Sequence, residues 1–156
     1  GAIRTMISDL EEHKIINIER AGCSLTKTGI NIYKEIIEKI PKVIQIDAGR
    51  LSVANFDAAA LVKDGSKFIH RGIEQRDAAI KAGAKGATTL MYEKDRFTLP
   101  MESIDCAKDF PSNIWVILEK KFKPSDGDVI IISSSDIEES AIYGALAGAL
   151  TLVETP

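Results

Sequence analysis

The run Asp128–Ser133 constrains the fold of this chain more than any other segment, because its four central residues are all Val or Ile. A strand with one face in water alternates apolar and polar residues, whereas an unbroken apolar run is typical of a strand buried on both faces. The sequence therefore predicts a compact α/β domain whose sheet has this strand at its centre.

The residues around this run alternate between strand-like and helix-like segments. Strands are predicted near 43–46, 56–62, 87–92 and 97–99, and helices over 72–82, 111–122 and 135–151. A strand at 114–118 is the alternative to the second of these helices. These lengths suit βαβ units, so we expect a mixed sheet in an α/β domain spanning 42–156, with an α+β arrangement as the alternative. Pro41 marks the boundary to a separate segment, 1–41, because proline ends the preceding helix.

The segment 1–41 predicts a helix, a hairpin and a second helix. Apolar residues at helical spacing begin at Ile3, and a short apolar strand follows at Ile15–Ile18. Gly22 supplies a turn from which Cys23–Leu25 returns as the second strand. Thr26 is placed to cap a helix that runs to Pro41.

The motifs Ile3–Leu10, Ile15-Ile16 and Gly22–Gly29, in that order, resemble the recognition helix, wing and following helix of prokaryotic winged-helix transcription regulators. The resemblance implies DNA as the partner, with contacts from Arg4, Thr5 and Arg20. It also implies two further helices ahead of the first one, which this sequence lacks, so we expect DNA binding where those helices are present. Six basic and six acidic residues leave the segment 1–41 without net charge, which gives little support for phosphate binding.

A second resemblance covers most of the chain. The runs Gly72–Leu90 and Gly127–Ile132 are similar to an archaeal family in which an N-terminal winged helix precedes a C-terminal domain of unknown function. This resemblance implies a transcription regulator whose C-terminal domain senses a ligand or forms an oligomer. It implies no particular chemistry for that domain.

Arg76 is the first candidate for ligand binding in the domain 42–156. It follows Ile73 by three residues and precedes Ile80 by four, which places it on the apolar stripe of the predicted helix. A charge on an inward stripe needs a partner, because burying it alone is costly. Arg76 is therefore a ligand for an anion, one half of a structural ion pair with Asp57 or Asp77, or an arginine at the edge of the sheet whose guanidinium group reaches water.

Ser134 and Ser135 follow the central strand, at the edge where α/β sheets bind ligands. Ser135 also begins a capping-box pattern with Glu138, which is the competing interpretation. Arg50 and His70 would join Arg76 as anion contacts if the domain binds a phosphate or nucleotide metabolite as a small-molecule-binding protein or enzyme. That function is the alternative to transcription regulation.

Composition narrows the remaining classes of protein. With 20 basic and 23 acidic residues, two cysteines and two histidines, the chain of 156 residues offers no disulfide framework and little material for a metal site. We expect no metal, no cofactor and no catalytic residues, although enzymatic activity stays an open question. The longest stretch of low charge, 140–153, is too short to cross a bilayer, so we expect a cytoplasmic protein. A homodimer is the expected assembly.

Overall fold

The computed structural model describes residues 1–153 and divides into two compact units. The first unit spans Gly1–Glu38, and the second begins at Lys39. None of the helices in the described range is long and apolar enough to cross a membrane.

The first unit has the predicted order of helix, hairpin and helix. Its elements are α1 (Ala2–Glu12), β1 (Ile16–Glu19), β2 (Gly22–Leu25) and α2 (Lys27–Lys39). Lys14 takes a positive φ of 57° after α1. The N–H of Ile15 then donates to the carbonyl of Leu10, and the N–H of Lys14 donates to Glu11. This pair of bonds is a Schellman motif, which ends α1 and turns the chain into the hairpin.

The second unit is a five-stranded sheet with helices on both faces. Its elements are β3 (Lys42–Ile46), β4 (Phe56–Val62), α3 (Ile73–Lys81), β5 (Gly86–Glu93), β6 (Arg96–Thr98), α4 (Cys106–Asp109), α5 (Ile114–Phe122), β7 (Val129–Ser135) and α6 (Glu138–Leu150). Short 3₁₀ turns occupy Gly49–Leu51 and Gly65–Phe68. The strand order is β3-β4-β7-β5-β6, so β7, which contains the apolar run, is the central strand, as predicted.

The α/β class is confirmed, but the expectation of a mixed sheet is wrong in detail because every adjacent pair of strands is antiparallel. The strands β4 and β5 do run parallel, and α3 connects them as the βαβ pattern requires. The strand β7 lies between them and is antiparallel to both. The helical crossover leaves room for one strand, and the most apolar strand fills that buried position.

Apolar side chains of β4, β5 and β7 on one face of the sheet pack against α4 and α5. The opposite face is covered by α3 and α6. A Cβ atom added at Gly144 of α6 would lie 2.7 Å from the Cβ of Ala84, and one at Gly148 would lie 2.9 Å from Ile131 Cγ2. The small residues of α6 therefore bring its backbone close to the sheet.

Candidate functional site

Thr26 and Gly29 join α2 to the hairpin of the first unit. The single proton of the Thr26 hydroxyl is shared between the carbonyls of Lys14, at 2.6 Å, and Ile15, at 3.1 Å, and the hydroxyl oxygen accepts the N–H of Gly29 at 3.0 Å. It therefore caps α2 and ties that helix to the residues before β1. A Cβ at Gly29 would collide with the Ile15 carbonyl oxygen. Both Thr26 and Gly29 of the Leu-Thr-x-x-Gly motif therefore help to pack α2 against the hairpin.

The residues predicted to contact DNA all lie on the surface of the first unit. Arg4 and Thr5 are exposed on the first turns of α1, and Arg20 is exposed in the turn between β1 and β2. Neither arginine forms an ion pair with any residue in the described range. The first turn of α1 holds no acidic residue, so its positive helix terminus carries no opposing charge.

Large apolar side chains remain exposed on both helices of the first unit. Ile3 and Met6 of α1 have exposed fractions of 71% and 55%, and Tyr33 of α2 is 55% exposed. Ile30 and Ile37 extend the exposed stripe of α2 at helical spacing. The described residues leave this apolar surface open to solvent.

In the second unit, the predicted inward stripe of α3 is wrong. Ile73 and Ile80 are each 45% exposed, and the buried residues of α3 are Gln75 and Ala79. Arg76 is consequently exposed, and its guanidinium group pairs with the carboxylate of Asp77 at 3.2 Å. An exposed pair of this kind contributes about 0–1 kcal/mol to stability. The predicted partner Asp77 is therefore the one that Arg76 contacts, but the pair lies at the surface and not on a buried stripe.

Arg76 and Ser134 nevertheless line one cavity of about 240 Å³ beside β5 and β7, together with Lys85. Lys85 forms an ion pair with Asp136. The hydrogen bond from Lys85 holds the pKa of the Asp136 carboxyl below its usual range. Both basic groups of this cavity thus already have acidic partners.

The other predicted ligand residues lie apart from this cavity. The Ser135 hydroxyl donates to the carbonyl of Gly83 at 3.2 Å. The predicted capping box is wrong, because Ser135 is the last residue of β7 and α6 begins at Glu138 without a side-chain cap. His70 is exposed in the loop before α3. Arg50 lines a different cavity, beside Trp115.

Asp57 is a functional candidate that the sequence reasoning considered only as a partner for Arg76. The residue is only 8% exposed, and its carboxylate accepts three hydrogen bonds. The donors are the hydroxyls of Ser134, at 2.6 Å, and Ser52, at 2.7 Å, and the N–H of Ala48, at 3.1 Å. The carboxylate thereby fixes the 3₁₀ turn that carries Arg50 to the end of β7.

Asp128 is a second buried carboxylate that the sequence reasoning did not single out. It accepts hydrogen bonds from Lys63, at 2.5 Å, and from the N–H groups of Asp64, at 3.1 Å, and Ser125, at 2.8 Å. These donors lie in two loops that meet at the start of β7, so Asp128 has a structural role. Within residues 1–153, no group of three or more side chains is arranged to hold a metal ion.

The two units together define a class of protein in which a helix–hairpin–helix segment precedes an antiparallel sheet. The last strand of the sequence, β7, lies at the centre of that sheet. Residues 53–152 match the family described as Domain of unknown function (DUF4443), and the chain belongs to that family. It is also similar to a solved structure, the hypothetical protein PH0730 from Pyrococcus horikoshii OT3, with a TM-score of 0.68 and 26% sequence identity. That alignment covers 97% of this chain and 76% of the other. The comparison with curated proteins found no match.

Proposed function

We propose that this protein is a cytoplasmic transcription regulator that binds DNA through its first unit, while its second unit senses a ligand or mediates dimerisation. The observation that carries the proposal is the helix–hairpin–helix of residues 1–38, in which the Leu-Thr-x-x-Gly motif joins the hairpin to α2. The order of elements and the packing role of the motif both fit the wing and following helix of a winged-helix protein.

The distribution of charge on α1 supports the same assignment. Although the first unit carries almost no net charge, Arg4 lies near the start of α1, and the acidic residues Asp9, Glu11 and Glu12 lie toward its end. The N-terminal end of a recognition helix is the part that contacts base edges, so its basic character is the relevant one. The exposed apolar side chains of α1 offer a surface for the two further helices that the winged-helix resemblance implies.

The test is DNA binding by the full-length protein, including any residues that precede Gly1, measured by fluorescence anisotropy on duplexes selected from a random pool. Arg4→Gln removes a contact to a base or a phosphate and is expected to weaken DNA binding by about tenfold. The loss of a base contact costs about 1–3 kcal/mol of binding free energy. Arg20→Gln removes a contact from the wing and is expected to lower the slope of log K against log salt by about 1. Lys120→Gln, an exposed change on α5, is the matched control.

The proposal is wrong if no duplex is enriched, or if Arg4→Gln and Arg20→Gln bind the selected duplex as tightly as the Lys120→Gln control. Circular dichroism of each variant establishes that the helices of the first unit are retained, so that weaker binding is not mistaken for unfolding.

A second candidate function rests on the cavity of Arg76, Lys85 and Ser134. These three side chains are the kind that bind a phosphate or nucleotide metabolite. The candidate ranks second because Asp77 and Asp136 already neutralise the two basic groups. A thermal melt with and without inorganic phosphate tests it: stabilisation that disappears in Arg76→Ala supports the candidate, and an unchanged melting temperature rejects it.

A further inference from the structure

A small cavity lies in the second unit between the 3₁₀ turn Gly49–Leu51 and the connection from α4 to α5. Its volume is about 210 Å³, and it shares only Leu51 with the cavity of Arg76 and Ser134. Its lining is mainly apolar, and the side chains that matter are Arg50, Leu51, Asp109, Phe110, Ile114 and Trp115.

The two charged residues of this cavity have opposite signs. Arg50 and Asp109 are both exposed, and both line the cavity. Neither forms an ion pair with the other or with any other residue of the described range. Each therefore has capacity to bind a charged group of a ligand whose apolar part enters the cavity.

The walls of the cavity are held in place by hydrogen bonds. On one side, the buried carboxylate of Asp57 binds the N–H of Ala48 and the hydroxyl of Ser52, which flank the turn that carries Arg50. On the other side, the indole Nε1 of Trp115 donates to the carbonyl of Phe110 at 2.7 Å. A cavity whose walls are already ordered costs less entropy to fill.

We infer that this cavity binds an α-amino acid with an apolar side chain. Arg50 binds the α-carboxylate, Asp109 binds the α-ammonium group, and the side chain packs against Leu51, Ile114 and Trp115. A simple carboxylic acid would leave Asp109 facing a like charge, and a simple amine would do the same to Arg50. The inference goes beyond the proposed DNA binding and does not depend on it.

Trp115 is the single tryptophan of the chain, so its fluorescence reports directly on this cavity. The probe is L-leucine, titrated into the full chain without DNA, with isothermal calorimetry as a second readout. The matched analogues are 4-methylpentanoate, which lacks the amine, and isoamylamine, which lacks the carboxylate. L-leucine is expected to bind, and each analogue is expected to bind at least about tenfold more weakly, because one charge-assisted contact is lost.

Arg50→Gln and Asp109→Asn are each expected to weaken the binding of L-leucine by about tenfold, without changing the melting temperature of the free protein, since both residues are exposed. Arg71→Gln, an exposed change outside this cavity, is the control. The inference is overturned if L-leucine gives neither a fluorescence change nor heat, or if an analogue binds as tightly as L-leucine. Failure of DNA binding alone leaves these measurements unaffected.

Discussion

Replacing Gly29 with alanine tests whether the contact between α2 and the hairpin holds the first unit together. The added Cβ would lie 3.1 Å from the carbonyl carbon of Ile15 and 3.2 Å from Leu25 Cδ2, and closer still to the Ile15 oxygen. This carbonyl is not free to withdraw, because it accepts hydrogen bonds from the N–H of Thr26, at 3.0 Å, and from the Thr26 hydroxyl, at 3.1 Å. Relief of the collision therefore requires α2 to move away from the hairpin.

The expected magnitude combines three effects. Overpacking costs about 1–3 kcal/mol. Each of the two weakened hydrogen bonds contributes about 0.5–1.5 kcal/mol. Alanine in place of glycine favours a helix by about 1 kcal/mol, which opposes the other two effects. The net result is a loss of about 1–5 kcal/mol in the free energy of unfolding, which is large for a unit of this size.

Urea unfolding of the full chain, followed by circular dichroism and by the fluorescence of Trp115, measures this loss. Trp115 belongs to the second unit, so its transition is expected to stay unchanged while part of the helical signal is lost at lower urea. Thr28→Ala, an exposed substitution on the same turn, is the control. A Gly29→Ala protein whose helical signal survives to the same urea concentration as the control would refute the reasoning.

Three further predictions concern the second unit. Asp128→Ala removes the acceptor of three hydrogen bonds and is expected to lower the free energy of unfolding by about 2–4 kcal/mol, measured by urea denaturation. Gly144→Ala is expected to cost about 1–3 kcal/mol through overpacking against Ser133 and Ala84, and adding Ser133→Ala is expected to restore part of that loss in a double-mutant cycle. Burial raises the pKa of the Cys106 thiol to about 11, with a smaller contribution from nearby carboxylates. At pH 8, the native protein is therefore expected to release one equivalent of thionitrobenzoate from Ellman's reagent, through reaction of the exposed thiol of Cys23.

Each of these predictions has a matched comparison. Asp126→Asn changes an exposed carboxylate two residues from Asp128, and an equal loss of stability in both variants would contradict the role given to Asp128. If the losses of stability in Gly144→Ala and Ser133→Ala are additive in the double variant, the contact between these two positions is not the cause of the loss in Gly144→Ala. For Cys106, the unfolded thiol ionises before the folded one, so stability is expected to fall as the pH rises from about 9 toward 11. Rapid release of two equivalents from the native protein would contradict the burial of Cys106.

The helix, hairpin and helix of the first unit could be predicted because their signals are local. Gly22 permits the turn with a φ of +132°, and Thr26 caps α2 as its position in the sequence indicates. The DNA contacts assigned to this unit remain predictions, because no residue position by itself shows what a surface binds. The central place of the Val and Ile run was also predictable, since its burial on both faces requires it.

The partners of a strand or helix were harder to predict, because they depend on residues distant in the sequence. The spacing of a βαβ unit permits its two strands either to be adjacent in the sheet or to have a third strand between them. Only the placement of β7 decides between these arrangements. On α3, the stripe of Ile73 and Ile80 looked like the buried face, but α6 approaches so closely that a Cβ at Gly148 would lie 3.2 Å from the carbonyl oxygen of Gln75. The buried face of α3 therefore carries Gln75 and Ala79, while Ile73 and Ile80 lie at the surface.

The candidate ligand residues show the same limit. Arg76 and Ser134 meet at one cavity, whereas Arg50 meets Asp109 and Trp115 at another. Both groupings join residues more than 50 positions apart in the sequence. The buried carboxylate of Asp57 is equally hard to recognise beforehand, because its three donors come from a loop and from the end of β7.

The central position of β7 has a consequence for the order in which the chain acquires its structure during synthesis. The strands β4 and β5 are made early, yet each finds its main neighbour only in β7, which leaves the ribosome after most of the chain. Until then, the nascent second unit holds two strands without their shared partner, and their unpaired edges are open to wrong pairing. In the first unit, β1 pairs with the strand that directly follows it, so this unit can form while the rest of the chain is still being made.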